Sequence, residues 1–205
     1  MRLRVLCTLI FSGVLAACVS TPVSTPLSKF NLSQVIVRYT VTADYQVADF
    51  EREYKDQRTD LATISKITLA STPESQAYVR GRIKDHLAPH LERVFRPRMT
   101  GSRAVTIEVR VLKVFVPGKL RGELVGEGFY MDAVFAVIDD VTGIELMAYG
   151  PIHAETDEAI TLIGGEQIPN LGSSERMNEV AYYFSKKALA AIENEYRGFG
   201  PDGRF

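Results

Sequence analysis

Cysteine is scarce in this chain of 205 residues, which contains only Cys7 and Cys18. Both lie near the start, so residues 19–205 contain no thiol. A disulfide within that part is excluded, and its core must hold it together even in an oxidising compartment. With 46% hydrophobic residues, the chain is apolar enough for one domain with a substantial core.

The chain also lacks an excess of basic residues. Its 24 lysines and arginines face 25 aspartates and glutamates, which gives a formal net charge of −1. Binding to a nucleic-acid backbone needs a dense basic face, because much of the affinity comes from counterion release. The basic residues here are scattered among acids, so we expect no nucleic acid among the partners.

Signals for nucleotide or cofactor binding are missing as well. Gly126-x-Gly128 precedes a predicted strand, whereas a phosphate-binding loop opens a helix and offers its free N–H groups to the anion. Gly118-Lys119 is followed by Leu120, which places no hydroxyl for magnesium. We therefore expect no nucleotide partner and no cofactor.

The apolar run near the N-terminus is too short for a permanent membrane span. It extends from Val5 to Ala17, about thirteen residues, whereas a spanning helix needs about 20. Arg2 and Arg4 precede the run and supply the positive charge typical of a secretory leader. Residues 1–17 are therefore predicted to be a signal peptide that is removed.

The end of this run, Leu15-Ala16-Ala17-Cys18, resembles the lipobox of bacterial lipoproteins. The resemblance implies cleavage between Ala17 and Cys18, and attachment of acyl chains such as palmitate to Cys18. Two or more chains anchor a protein stably, since each buried methylene contributes about 0.8 kcal/mol. The alternative is an ordinary secretory signal cleaved after small residues, which leaves Cys18 as a free thiol.

Cleavage also changes the charge. Loss of Arg2 and Arg4 with the leader leaves 22 basic against 25 acidic residues, a net charge of −3.

The lipobox resemblance also implies a location. Val19 follows the cysteine, where an aspartate is the usual signal for inner-membrane retention in Gram-negative lipoproteins. We therefore expect a lipid-anchored protein of the cell envelope, on the outer membrane and facing the periplasm if the organism is Gram-negative.

Composition divides the remaining chain into three parts. Residues 18–30 are rich in serine, threonine and proline, which predicts a lipidated cysteine followed by a flexible tether. Residues 31–197 are predicted to form a single globular domain, and residues 198–205 a frayed tail.

Apolar periodicity predicts the fold of that domain. Helical spacing of apolar residues indicates helices after Thr72 and near Ser173, and residues 43–70 show no clear pattern. Strands are predicted from alternation, with a bulge near Val111, at 34–41, 105–116, 129–137 and 144–148. This order predicts an α+β fold: a mainly antiparallel sheet of about four strands with two helices packed on one face.

In element order and anchoring, the chain resembles small α/β envelope lipoproteins such as synthase activators, secretion accessory subunits and transporter auxiliary lipoproteins. The resemblance covers most of the mature chain but involves no residue motif. It carries over no functional residues.

Motifs for catalysis and metal binding are incomplete. His86 and His90 have the four-residue spacing of zinc ligands, but position 87 is Leu rather than the glutamate of His-Glu-x-x-His. We therefore interpret them as partly exposed helix histidines and expect no metal site. Residues 140–143 read as a hairpin turn, and no Gly-x-Ser-x-Gly motif occurs. No catalytic residue is assigned.

One segment, residues 159–171, is more aliphatic than a solvated loop. We expect it to pack over a sheet edge, and its alternative is a partner-docking or lipid-facing flap. Its apolar members form the predicted interaction loop: Ile160, Leu162, Ile163, Ile168 and Leu171.

Three functions remain open at this stage. The first is a non-catalytic accessory or binding protein for an envelope complex, because the anchor signal is strong and catalytic motifs are missing. The second is a lipid or small-molecule binding auxiliary subunit of a transporter, which requires an apolar cavity of roughly 300 Å³ or more. The third is an envelope hydrolase with a dispersed site, which requires Asp, Glu or His side chains clustered in one cleft.

The anchor is tested by the intact mass of the protein extracted from membranes with detergent. We expect a wild-type mass that lacks residues 1–17 and includes acyl chains, and loss of the acyl mass in Cys18→Ala. A wild-type protein with an unmodified, free Cys18 would instead be a soluble secreted domain.

Overall fold

The computed structural model describes residues 27–58, 72–117, 128–156 and 173–196. The predicted leader, Cys18 and the predicted interaction loop (Ile160, Leu162, Ile163, Ile168 and Leu171) lie outside these residues.

A four-stranded sheet with helices forms the described domain, which confirms the α+β class. The strands are β1 (Phe30–Val47), β2 (Arg103–Val116), β3 (Phe129–Asp139) and β4 (Glu145–Thr156), in that spatial order. The helices within the described residues are α1 (Ala48–Asp56), α2 (Pro73–Phe95) and α3 (Ser173–Tyr196). The prediction of two helices is therefore short by one.

The sheet is mixed rather than purely antiparallel. Strands β2, β3 and β4 are consecutive and antiparallel, as predicted, but β1 pairs with β2 in parallel. Between the two strands, α2 brings the chain back to the end of the sheet at which β1 begins, and β2 starts there. A crossover of that length allows parallel pairing, whereas a short hairpin does not.

One face of the sheet and the two long helices form the core. Strand β2 buries Val105, Ile107, Val109 and Val111 on this face. Helix α2 packs on them with apolar residues spaced three or four positions apart, as the periodicity predicted. The α2 residues of the core are Val79, Ile83, Leu87, Leu91 and Val94. Helix α3 adds Met177, Val180, Ala181, Phe184, Ala188 and Ile192.

Helix α2 begins and ends where the sequence indicates. The Thr72 hydroxyl accepts a hydrogen bond from the Ser75 N–H at 3.2 Å, and Pro73 occupies the first helical position. The helix continues through Pro89 and ends at Phe95, two residues before Pro97. At this end the Phe95 ring stacks on Phe135 of β3 at 5.0 Å between centroids.

The predicted bulge near Val111 is confirmed. Val111 and Lys113 are consecutive partners in the pairing of β2 with β3, so Leu112 is the extra residue. The bulge returns Val114 and Val116 to the helix-covered face, which explains the change of apolar phase. On the other side of β2, four residues of β1, 40–43, stand opposite Leu112.

The β3–β4 hairpin turn is held by Asp139. Its Oδ1 accepts hydrogen bonds from the N–H groups of Val141 and Thr142 at 3.0 and 2.7 Å, and from the Thr142 hydroxyl at 2.9 Å. Gly143 adopts φ 69°, a conformation that favours glycine. The hydrogen bond from Arg103 and those from Thr142 lower the pKa of Asp139 to about 2.

The structured domain begins earlier than the sequence suggests. Leu27 and Phe30 are both buried, although they belong to the predicted tether of residues 18–30. Gly101 explains how the chain fits there, because a Cβ at this position would lie 2.2 Å from the Lys29 carbonyl.

Helix α1 was not predicted, and it buries Phe50 and Tyr54.

Truncation of the ring that joins α2 to the sheet is expected to be costly. Phe135→Ala should lower the free energy of unfolding by about 3–5 kcal/mol, because it leaves a cavity beside Phe95. The measurement is urea unfolding followed by circular dichroism. Val141→Ala, at an exposed turn position, is the control and should change the value by no more than about 0.5 kcal/mol. Equal effects of the two substitutions would contradict this account of the core.

Candidate functional site

The face of the sheet opposite α2 and α3 is called here the open face. No described helix packs on it, and its residues alternate along β2, β3 and β4 with those of the core. Polar, charged and aromatic side chains dominate this face. Its central members are Glu108, Arg110, Lys113, Phe115, Tyr130, Asp132, His153 and Glu155.

A ladder of ion pairs crosses one half of the open face. Glu108 contacts the Nε atoms of Arg38 and Arg110, each at 2.7 Å, and Arg110 also bonds Glu145. The ladder thus joins β1, β2 and β4. Burial raises the pKa of Glu108, but the hydrogen bonds from Arg110 and Arg38 outweigh it and lower the pKa overall. Glu108 therefore remains charged beneath the two guanidinium groups.

The other half of the open face carries what we call the His153 cluster, which consists of Lys113, Phe115, Tyr130, Asp132, His153 and Glu155. Its rings form a row across three strands, since the Tyr130 centroid lies 5.6 Å from that of Phe115 and 5.5 Å from that of His153. The Lys113 ammonium lies 5.2 Å from the Tyr130 ring centroid.

Both ring nitrogens of His153 face carboxylates. Nδ1 lies 2.6 Å from Asp132 Oδ1, and Nε2 lies 3.4 Å from Glu155 Oε2. The hydrogen bond with Asp132 raises the pKa of His153 above its usual 6.5, and partial burial opposes that rise. Two carboxylate neighbours favour the imidazolium form, in which both nitrogens are donors.

The pair of histidines singled out in the sequence lies elsewhere. His86 and His90 lie on α2 and turn toward α3, where both contact Asn178 Oδ1, at 2.9 and 3.4 Å. The His86 ring also stacks on Phe50 of α1. Within the described residues, no three His, Cys, Asp or Glu side chains are grouped so that they could hold a metal ion.

A pocket of about 470 Å³ opens at the starts of β1 and β2. The carrier hypothesis expects an apolar cavity between the helices and the aliphatic loop. This pocket is not apolar throughout, and no residue of α2 or α3 lines it. Its lining residues are Ser28, Lys29, Phe30, Gly101, Ser102 and Arg103.

The sequence did not identify the His153 cluster. Asp132 and His153 occupy polar positions of two predicted strands, so alternation placed each on the solvent side. Their pairing depends on two register shifts between β3 and β4. An unshifted ladder from the Ile138–Glu145 pair would place Pro151, rather than His153, opposite Asp132.

Comparison with known proteins adds little to this picture. No protein-family model matches the chain, and no curated protein matches its sequence. One solved structure, described as a "putative lipoprotein" from Caulobacter crescentus CB15, is 14% identical, with a TM-score of 0.33, and the match covers 58% of this chain and 86% of that one. A likeness this weak carries no functional conclusion.

In the part of the chain that the structure describes, no helix is both long enough and apolar enough to cross a bilayer.

The environment of His153 is tested by NMR titration of the three histidine rings. We expect His153 to titrate above 6.5 and His90 below it, because burial lowers the pKa of His90. Asp132→Asn should lower the pKa of His153 and leave that of His90 unchanged. The matched control Glu155→Gln should have a smaller effect, because its contact with His153 is longer.

The raised pKa of His153 also predicts how stability depends on pH. The charged pair with Asp132 stabilises the folded state below the unfolded-state pKa of His153, and this contribution is lost as the pH rises through the higher folded-state pKa. Urea unfolding should therefore show a smaller loss of stability across this range in Asp132→Asn than in the wild type. Identical pH profiles would contradict the assignment.

Proposed function

We propose that the chain is a lipid-anchored protein of the cell envelope whose domain binds a protein partner through the open face. The anchor is Cys18, and the domain acts as a non-catalytic accessory module of an envelope complex. The observation that carries the proposal is the His153 cluster, because it places aromatic and charged side chains side by side on a face without a described helix.

The composition of the open face supports a protein partner. Protein interfaces are enriched in aromatic residues and arginine, and tyrosine, tryptophan and arginine are the residues that most often contribute most to binding. Here Tyr130 lies between Phe115 and His153, with Lys113 beside its ring. The ion-pair ladder on Glu108 extends the face with alternating charge, which is suited to selecting a partner of complementary charge.

The arrangement of His153 favours binding over general-base catalysis. A histidine base needs one nitrogen free to accept the proton of a nucleophile, with the other held by an orienting carboxylate. In this cluster the nitrogen opposite Asp132 faces Glu155, a second carboxylate. The imidazolium form, which the two carboxylates favour, is a hydrogen-bond donor at both nitrogens and is suited to holding two acids in place.

An envelope hydrolase is the second candidate, and the 2.6 Å contact between Asp132 and His153 is the observation that favours it. It requires a substrate to displace Glu155 from Nε2. Ester or amide hydrolysis by the purified protein that disappears in both His153→Ala and Asp132→Asn, while Glu193→Gln retains it, would establish this candidate in place of the first.

The proposed interface is tested by photo-crosslinking in living cells. A benzoylphenylalanine at position 130 is expected to crosslink to one defined envelope protein, and the same group at position 183 is the control. Tyr183 suits this purpose because it is an exposed tyrosine of α3, away from the open face. Cys18→Ala should reduce the crosslink several-fold if the partner is membrane-bound, since it removes the proposed anchor.

Two further results complete the test. Tyr130→Ala should weaken binding to the crosslinked partner by about 30-fold, the effect of losing roughly 2 kcal/mol at a central aromatic residue. Crosslinks from position 183 but not from positions 115, 130 or 153 would place the interface on the helices and overturn the proposal.

A further inference from the structure

One end of the sheet combines the entry of the N-terminal chain with an exposed apolar turn. The starts of β1 and β2 and the β3–β4 turn all lie there, because Phe30 pairs with Arg103 and the Asp140 N–H bonds the Ala104 carbonyl. We call this the entry end. Neighbouring strands are about 4.8 Å apart, so the turn lies roughly 10 Å from the start of β1.

The length of the preceding chain limits where this end can be. Eight residues separate Cys18 from Leu27, the first described residue. Even fully extended, a segment of this length spans only about 30 Å. The opposite end of β2, thirteen residues from Arg103, lies about 43 Å farther along the sheet. An anchor at Cys18 therefore keeps the entry end within about 30 Å of the membrane, whereas the tether alone allows the opposite end to be much farther away.

The turn at the entry end exposes two aliphatic side chains. Val141 is 88% exposed and Ile144 is 61% exposed, and both are among the most exposed large apolar residues of the described chain. The Asp139 carboxylate and Gly143 fix the shape of this turn, so its apolar residues are presented by a rigid support. Burial of such side chains in lipid is favourable, because it removes apolar surface from water.

Charged groups beside the turn are suited to the headgroup region. Lys29 has no carboxylate partner among the described residues, and Asp140 has no basic partner among them. Arg98 and Arg103 are half-exposed and paired with Glu193 and Asp139.

The pocket of about 470 Å³ opens at the same end. Ser28, Lys29, Ser102 and Arg103 are among its lining residues, and their side chains carry donors that can bind phosphate oxygens. The backbone around it is fixed, since the Gly101 N–H donates to the Phe30 carbonyl at 2.7 Å. The pocket and the apolar turn thus match the two layers of a bilayer surface, headgroups and acyl chains.

We propose that the entry end docks on the bilayer surface, with Val141 and Ile144 inserted among the lipids and Lys29 and Arg103 at the level of the phosphates. This inference rests on the proposed lipid anchor at Cys18. It adds a fixed orientation, in which the strands rise from the membrane and the His153 cluster, toward the opposite end, is held away from it.

Tryptophan fluorescence tests the orientation directly, because the chain contains no tryptophan. The mature, acylated protein is placed in vesicles of phosphatidylethanolamine and phosphatidylglycerol, with Val141→Trp as the probe and Val41→Trp as the matched control. Val41 is fully exposed but lies near the β2 bulge at Leu112, about 30 Å along the sheet from Arg103. Circular dichroism verifies that both variants are folded.

We expect the emission of the Val141→Trp variant to shift to shorter wavelength. Lipids brominated on their acyl chains should quench it several-fold more than they quench the emission of Val41→Trp. Equal quenching of the two variants, whether strong or absent, in protein that floats with the vesicles would overturn the docking and leave the anchor intact. Protein that does not float with the vesicles would overturn the anchor and the docking together.

Discussion

Burial of a single face of the sheet beneath α2 and α3 determines the character of the rest of the molecule. Both long helices pack on the same side of the sheet. The central strands β2 and β3 therefore have one face buried beneath helices and one face on which no described helix packs. A charged residue in the middle of such a strand needs partners on its own face. Glu108 finds them in Arg38 and Arg110, and Asp132 finds one in His153.

The one-sided core also explains which features of the fold could be predicted. Helix α2 and the β2 bulge follow from the need to keep apolar residues on the covered face, and the sequence shows this need plainly from Val105 to Val116. Helix α1 could not be predicted, because Phe50 and Tyr54 are too few apolar positions in nine residues to define a period. Parallel pairing of β1 escapes prediction for another reason: alternation records which face a residue occupies but not the direction of its neighbour.

The candidate site depends on a finer property, the register of β3 against β4. Register is well specified where a strand alternates clearly between buried and exposed residues, and poorly specified elsewhere. Strand β4 contains Ala148, Gly150 and Pro151 in its middle, which leaves its pattern weak where one of the two shifts occurs; the other shift lies at Leu146. The sequence therefore indicated polar positions for Asp132 and His153 but not that they meet.

The edge strands of the described sheet, β1 and β4, bear on the proposed attachment to a membrane surface. Molecules held in two dimensions meet their own copies at high effective concentration, and an unbroken edge strand is a template for pairing between them. Neither edge strand of the described sheet offers one. Strand β1 is interrupted by the four residues opposite Leu112, and β4 contains Pro151, which has no N–H to donate. The two irregularities discourage lateral sheet growth and so favour separate copies, each with its own open face available.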